Sequence, residues 1–143
     1  MKHIHITLKS NYDDLNIEGL IIQSDKIKAI VQINHGICEH KERYIPFMEY
    51  LAKEGYLCVI HDHRGHGKSI KKLNDLGYFY DGKNRGLVED IELINQYIKQ
   101  KYPNIPIYLF GHSMGSLAVR AYIKNMIIIS MVYLYVVLLA VIA

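Results

Sequence analysis

Residues Ile107 to Lys124 read Ile-Tyr-Leu-Phe-Gly-His-Ser-Met-Gly-Ser-Leu-Ala-Val-Arg-Ala-Tyr-Ile-Lys. The run Ile107 to Phe110 is short and apolar, as a buried strand is. Leu117 to Lys124 has helical character. Between them Gly111-His112-Ser113-Met114-Gly115 fits G-x-S-x-G. That pattern, with a strand before it and a helix after it, predicts a sharp turn that exposes the Ser113 hydroxyl above a sheet. Gly111 and Gly115 lack a Cβ, so strand and helix can approach closely. The helix start brings partial positive charge to the turn, and the Met114 N–H is a candidate oxyanion donor. His112 is an unsuitable base for Ser113: the turn should direct its ring away from its neighbour, toward a packed or hydrogen-bonded position.

Working outward, Ala29 to Ile33 is an apolar run entering Asn34-His35-Gly36, and Tyr56 to Ile60 is another, entering His61-Asp62-His63-Arg64-Gly65-His66-Gly67. Tyr44, Phe47, Met48, Leu51 and Ala52 recur at helical spacing, with Gly55 as a stop. Residues 68–86 are polar and glycine-dotted and read as loop. Leu87, Ile91, Ile94 and Ile98 mark one face of a helix ending near Pro103. At the N-terminus, His3 to Leu8 and Ile17 to Ile22 flank the turn residues Asn11 to Asp14 and suggest a hairpin. After that hairpin, strands and helices alternate. The expected fold is therefore α/β: a mostly parallel sheet with helices on both faces and its functional loops at the carboxyl ends of the strands. All three distinctive loops lie there.

The chain has 143 residues, half of them hydrophobic, with 17 basic and 14 acidic residues and a net charge of +3. That length supports one domain with a real core. The basic residues are scattered; the Lys71-Lys72 doublet reads as a solvated loop, and no nucleic-acid partner is expected. Cys38 and Cys58 adjoin apolar runs and are expected as free, buried thiols. Nothing at the N-terminus has the form of a signal peptide, so a cytoplasmic setting is expected.

Three motifs now stand in order: Asn34-His35-Gly36-Ile37-Cys38-Glu39-His40 with Arg43-Tyr44, then Asp62 to Ser69, then Gly111 to Ser116. Together they resemble the monoacylglycerol lipase and lysophospholipase branch of the α/β-hydrolases, often grouped with the serine aminopeptidase-like hydrolases. The resemblance spans residues 5–125. It implies the N-terminal half of an α/β-hydrolase fold and a lipid-like or other small ester substrate, with no cofactor. It also implies Ser113 as nucleophile, Met114 and Ile37 as oxyanion donors, and His35, Gly36, Gly111 and Gly115 as supports of the elbow and its facing loop. Residues 62–69 become a brace beside the site. Ser116 stands where many relatives have glycine. A rival reading takes His61, His63 and His66 as metal ligands in a metal-dependent hydrolase. It is weaker, because Gly65 stands where that pattern has aspartate, so no metal is expected.

No Asp, Glu or His follows Ser113. The triad order in this fold places both the acid and the base after the serine, so this chain should be inactive alone. The segment 126–143 carries no charge and departs from residues 1–125, the partial hydrolase domain. Displaced by one base, codons 125–143 permit Y-D-N-N-I-N-G-L-F-L-C-G-S-P-S-S-N-S, a polar turn, a strand and Gly-Ser-Pro. That sequence is expected if one base was lost near codon 126. In the frame as written, the same segment also reads as a membrane anchor, which would make the chain a membrane-anchored, non-catalytic pseudo-hydrolase.

Overall fold

The computed structural model describes residues 1–126 and 136–139. Strands β1 (Lys2–Lys9) and β2 (Asn16–Gln23) form the N-terminal hairpin, in antiparallel register from Lys2↔Gln23 to Lys9↔Asn16. There follow β3 (Ala29–Asn34), α1 (Ile45–Lys53), β4 (Tyr56–His61), α2 (Lys83–Lys101), β5 (Ile107–His112) and α3 (Met114–Met126). A short strand β6 (Val136–Leu139) pairs with β5. The sheet has six strands in the order β1-β2-β4-β3-β5-β6. β2 meets β4 antiparallel, and β4, β3, β5 and β6 run parallel.

The layers follow from the side-chain alternation of the strands. Helix α1 lays Met48 and Ala52 on Leu20, Ile22, Ile33, Cys58 and Ile60. On the opposite face, Ile94 and Ile98 of α2 pack on Ile17, Ile21, Ile30, Leu57, Val59 and Ile107. There α3 joins α2, with Ala118, Val119 and Tyr122 against Leu87, Ile91 and Leu109. Buried on both faces, β3 is apolar apart from Asn34 at its end and Gln32 within it. The Gln32 amide donates to the Ile91 carbonyl at 2.9 Å and accepts from Asn95 at 2.9 Å, tying α2 to the central strand. Gly55, at φ +90°, ends α1 and lets β4 begin at the next residue.

Two expectations need correction. Helix α2 begins at Lys83, inside the segment read as loop. Its first turn has no apolar stripe because it covers a charged side chain: a Cβ on Gly86 would stand 2.4 Å from the Arg64 Cζ. Cys58 is buried and free as expected, but Cys38 is exposed, in a left-handed turn at φ +59° beyond the end of β3. The readings of 126–143 as displaced frame or membrane anchor fall mostly on residues 127–135 and 140–143, outside the described residues. Among the described residues no helix is long and apolar enough to cross a membrane.

Candidate active site

Ser113 is the single residue between β5 and α3, exposed, with φ at +52°. A non-glycine residue in this left-handed region stores strain of about 1 kcal/mol or more, held by its surroundings. The turn is closed on the serine's own carbonyl. It accepts the Ser116 amide at 2.9 Å, the Ser116 hydroxyl at 2.6 Å and the Leu117 amide at 3.4 Å. The Ser116 hydroxyl thus adds a bond to the turn. Both flanking glycines are required by space. A Cβ on Gly111 would stand 2.6 Å from the Ser116 Cα, and one on Gly115 would stand 2.1 Å from the Asn34 carbonyl oxygen. Gly111 lets the helix close on its own strand, while Gly115 lets it close on the end of the neighbouring strand β3.

That contact draws the loop after β3 to the serine. A Cβ on Gly36 would lie 3.1 Å from Ser113 Cβ and 3.1 Å from His112 Nδ1. Ile37 follows directly and is exposed. Glu39 clamps this loop to the elbow. One carboxylate oxygen, Oε2, accepts the Gly36 amide at 2.6 Å, the Tyr44 hydroxyl at 2.9 Å and His112 Nδ1 at 2.9 Å. Burial pushes the Glu39 carboxyl upward, but His112, the Gly36 amide and Tyr44 outweigh it and hold the group down at about 2. His112 is therefore engaged with Glu39. His35 turns inward: its Nδ1 donates to the Gly36 carbonyl at 2.7 Å, and its Nε2 accepts the His63 amide at 2.9 Å.

Residues 62–69 form a brace. Asp62 is fully buried and accepts the Lys41 amide at 2.7 Å, the Lys41 ammonium at 2.6 Å and the Lys68 amide at 2.9 Å. Gly67 sits so close that a Cβ would be 2.3 Å from the Asp62 Cγ. Arg64, also fully buried, bonds Asp90 through Nε at 2.7 Å, Asp13 at 2.9 Å, the Ser10 hydroxyl at 3.0 Å and the Phe79 carbonyl at 3.1 Å. One guanidinium thereby joins the hairpin turn, the loop after β4 and helix α2.

The sequence profile of the family described as serine aminopeptidase, S33, matches residues 25–128, the stretch that holds all three loops. The chain belongs to the serine aminopeptidase S33 family. It is similar to a monoglyceride lipase homolog of Monkeypox virus, 38% identical over 92 residues, covering 62% of this chain and 30% of that protein. It is also similar to the monoglyceride lipase of Mus musculus, 34% identical over 110 residues, covering 72% of this chain and 35% of that protein. Among solved structures, a thermostable carboxyl esterase from Bacillus coagulans superposes with a TM-score of 0.83 at 28% identity, over 95% of this chain and 44% of the esterase. The fold is the N-terminal half of an α/β-hydrolase. The chain spans about a third of the length of these curated relatives.

Within this S33 chain His35, His61, His63 and His66 form a packed cluster. The His63 ring lies 4.4 Å from that of His35 and 4.8 Å from that of His61, and the His66 ring lies 5.4 Å from that of His35. Among the described residues no three His, Cys, Asp or Glu side chains gather as a metal site. The rings of His61 and His63 are wholly buried, without a hydrogen-bond partner at any of their four nitrogens. Burial lowers His61 to about 3, and burial with neighbouring histidines lowers His63 well below its ordinary value. Both are neutral in the fold.

Sequence reasoning passed over Glu39, Lys41 and Asp90 as individual residues. Asp90 carried a signal: it falls on the same helical face as Leu87, Ile91 and Ile94, where a carboxylate needs a buried partner. Glu39 and Lys41 carried none, because their distant partners, His112 and Asp62, are brought to them only by the sheet.

Proposed function

We propose that Ser113 is the nucleophile of a carboxylic-ester hydrolase acting on lipid-like esters. The observation that carries this reading is the elbow itself: an exposed serine held at φ +52° between strand and helix, with Gly36 of the facing loop against it. In this reading the Ser113 Oγ attacks the ester carbonyl carbon while a base takes its proton. The Met114 and Ile37 N–H groups hold the resulting oxyanion, and collapse expels the alcohol to leave an acyl-enzyme that water hydrolyses. The relatives named as monoglyceride lipases and carboxyl esterase support the substrate class. Residues 1–125 supply the nucleophile, the oxyanion loop and the brace. The acid and base belong to a later segment, which we place in the reading frame displaced by one base near codon 126.

The test is labelling by a fluorophosphonate probe. The 143-residue chain, with no Asp, Glu or His after Ser113, should label weakly and retain only oxyanion-hole and binding catalysis, at most about 10³–10⁴ over water. Restoring the displaced frame should restore strong labelling, and Ser113→Ala should then abolish it. Absence of an Asp and a later His from the displaced frame would overturn the frame assignment. Absence of labelling in a frame-restored protein would leave a non-catalytic acyl binder. Fast p-nitrophenyl ester hydrolysis by the 143-residue chain would show instead that His35, His40 or His63 serves the serine.

A further inference from the structure

The segment between β4 and the first turn of α2 has a composition that the hydrolase reading does not use. Residues 68–85 carry Lys68, Lys71, Lys72, Lys83 and Arg85 against Asp75 and Asp81. That surplus of three equals the net charge of the whole chain, so the rest of the sequence is balanced. Interleaved with these cations are large apolar side chains facing water: Leu73 at 76%, Leu76 at 56% and Tyr78 at 56% exposure. Few features of a folded domain hold two leucines this far out of the core beside a cationic surplus.

This exposure belongs to a built loop. The Gly77 amide donates to the Gly65 carbonyl at 2.7 Å, and Gly65 is pressed against the Tyr78 backbone, where a Cβ would stand 2.5 Å from its carbonyl oxygen. A 3-10 turn spans Leu73–Asp75. Tyr80 is buried beneath it, and its hydroxyl accepts the Lys71 amide at 2.7 Å and donates to Asp75 at 2.9 Å. Asp75, one of the two carboxylates, is thus turned to an internal partner. Arg85 lies over the ring of Tyr12, 42% exposed in the neighbouring hairpin turn, and also approaches Glu89 at 3.8 Å. The loop leaves β4 at its carboxyl end, the edge of the sheet that also carries Ser113.

We propose that the loop 68–85 is a docking surface for an anionic lipid bilayer, with Leu73, Leu76 and Tyr78 entering the interface and Lys68, Lys71, Lys72 and Lys83 meeting the headgroups. Apolar and aromatic side chains partition into the headgroup boundary, and each nearby cation gains from the negative surface potential. The two features coincide in this loop. A plain acidic partner would match the lysines but would leave the leucines without a role. Docking by this loop would bring the elbow edge to the membrane, yet it requires no turnover and stands apart from the assignment of Ser113.

The experiment is co-sedimentation of the full chain with vesicles of phosphatidylcholine alone and with about 30% phosphatidylserine. Binding should favour the anionic vesicles and weaken as salt rises. Leu73→Ser/Leu76→Ser and, separately, Lys71→Glu/Lys72→Glu should each lower binding by about tenfold or more. These side chains are exposed, so thermal unfolding should match the parent chain. The apolar segment 126–143 is present in every variant, so any difference between them reports on the loop. Equal binding to both vesicles overturns the proposal, as does parent-like binding by both double variants. Loss through the lysine pair alone would identify a surface for an acidic macromolecule. Loss through the leucine pair alone would remove the anionic requirement. Either outcome also overturns it.

Discussion

Arg64 and Ser113 follow strands β4 and β5, on either side of β3, and their surroundings are opposite. Arg64 is wholly buried and its guanidinium is shared among Asp90, Asp13, Ser10 and Phe79. Burial works against its charge, but Asp90 and Asp13 outweigh it and raise the guanidinium above its ordinary value. Ser113 is exposed, its backbone is strained, and among the described residues its hydroxyl has no hydrogen-bond partner. The first residue spends all its polar capacity on holding three elements together. The second keeps its polar group uncommitted, and the strain of its turn is borne by neighbours. Arg64 is thus fixed by its partners, whereas none among the described residues holds the exposed Ser113 hydroxyl.

The sharpest way to break this contrast is to remove one partner of the saturated node. Asp90→Ala leaves Arg64 buried with a charge half compensated, and a loss of about 3–5 kcal/mol is expected. Urea unfolding of the variant should show it as a lower midpoint. The double variant Arg64→Met/Asp90→Leu should lose less than Asp90→Ala, because no buried charge is then stranded. If Asp90→Ala unfolds at the midpoint of the parent chain, the node is not structural.

The buried histidines test the same idea from the acid side. His61 and His63 are neutral in the fold and can charge only in the unfolded chain, near pH 6.5. Their contribution is therefore fully present above about pH 6.5 and is lost as pH falls toward the folded values, about 3 for His61. Between pH 7.5 and 5.5 the pair should cost roughly 3 kcal/mol of stability. Glu39, held at about 2, loses its contribution only below the ordinary carboxylate range and does not confuse this window. His61→Leu should flatten the pH dependence by less than about half, because His35, also lowered by burial, contributes in the same window. Identical urea midpoints at pH 7.5 and 5.5 would show that the rings are solvated or paired.

Much of this was legible in the sequence, for reasons particular residues make plain. The elbow could be read because its chemistry is local: Gly111, Ser113 and Gly115 are needed by one turn, and their spacing announces it. The alternation of apolar runs gave the parallel strands because strands buried on both faces show as continuous runs. The start of α2 was hidden because Gly82 and Gly86, read as loop residues, are small to admit Arg64 from a distant loop. Glu39 was hidden because His112, which joins the local donors Gly36 and Tyr44 on its carboxylate, arrives only when β3 and β5 lie side by side. Cys38 was misplaced because an apolar neighbour in sequence says nothing about a residue in a left-handed turn.

Between the node and the elbow stands Gly115, which has an ordinary φ and is required by space alone. Gly115→Ala would place a methyl 2.1 Å from the Asn34 carbonyl oxygen and 2.6 Å from that of His35. Backbone must move, and a loss of about 1–3 kcal/mol is expected. The shift also moves the Gly36 loop relative to Ser113, so fluorophosphonate labelling of a frame-restored protein should fall even at temperatures where the variant stays folded. A fully folded Gly115→Ala with unchanged labelling would show that the helix start tolerates displacement from β3.

The smallest expected effect has the opposite sign. Ser113→Gly removes the Cβ that makes φ +52° unfavourable. It discards no hydrogen bond of the serine side chain among the described residues, and the turn's bonds to the residue 113 carbonyl remain. Glycine also raises the entropy of the unfolded chain, which offsets part of the relief. The net expectation is a gain of up to about 1 kcal/mol, read as a higher urea midpoint, whereas Ser113→Ala, which keeps the Cβ, should leave the midpoint within about 0.5 kcal/mol of the parent. The comparison of the two variants isolates the backbone from the hydroxyl. A gain with glycine and none with alanine means the fold holds residue 113 in a conformation it would otherwise avoid, as a residue kept for its reactivity requires. A loss with glycine would mean the serine turn is relaxed, and the contrast with Arg64 would then rest on exposure alone.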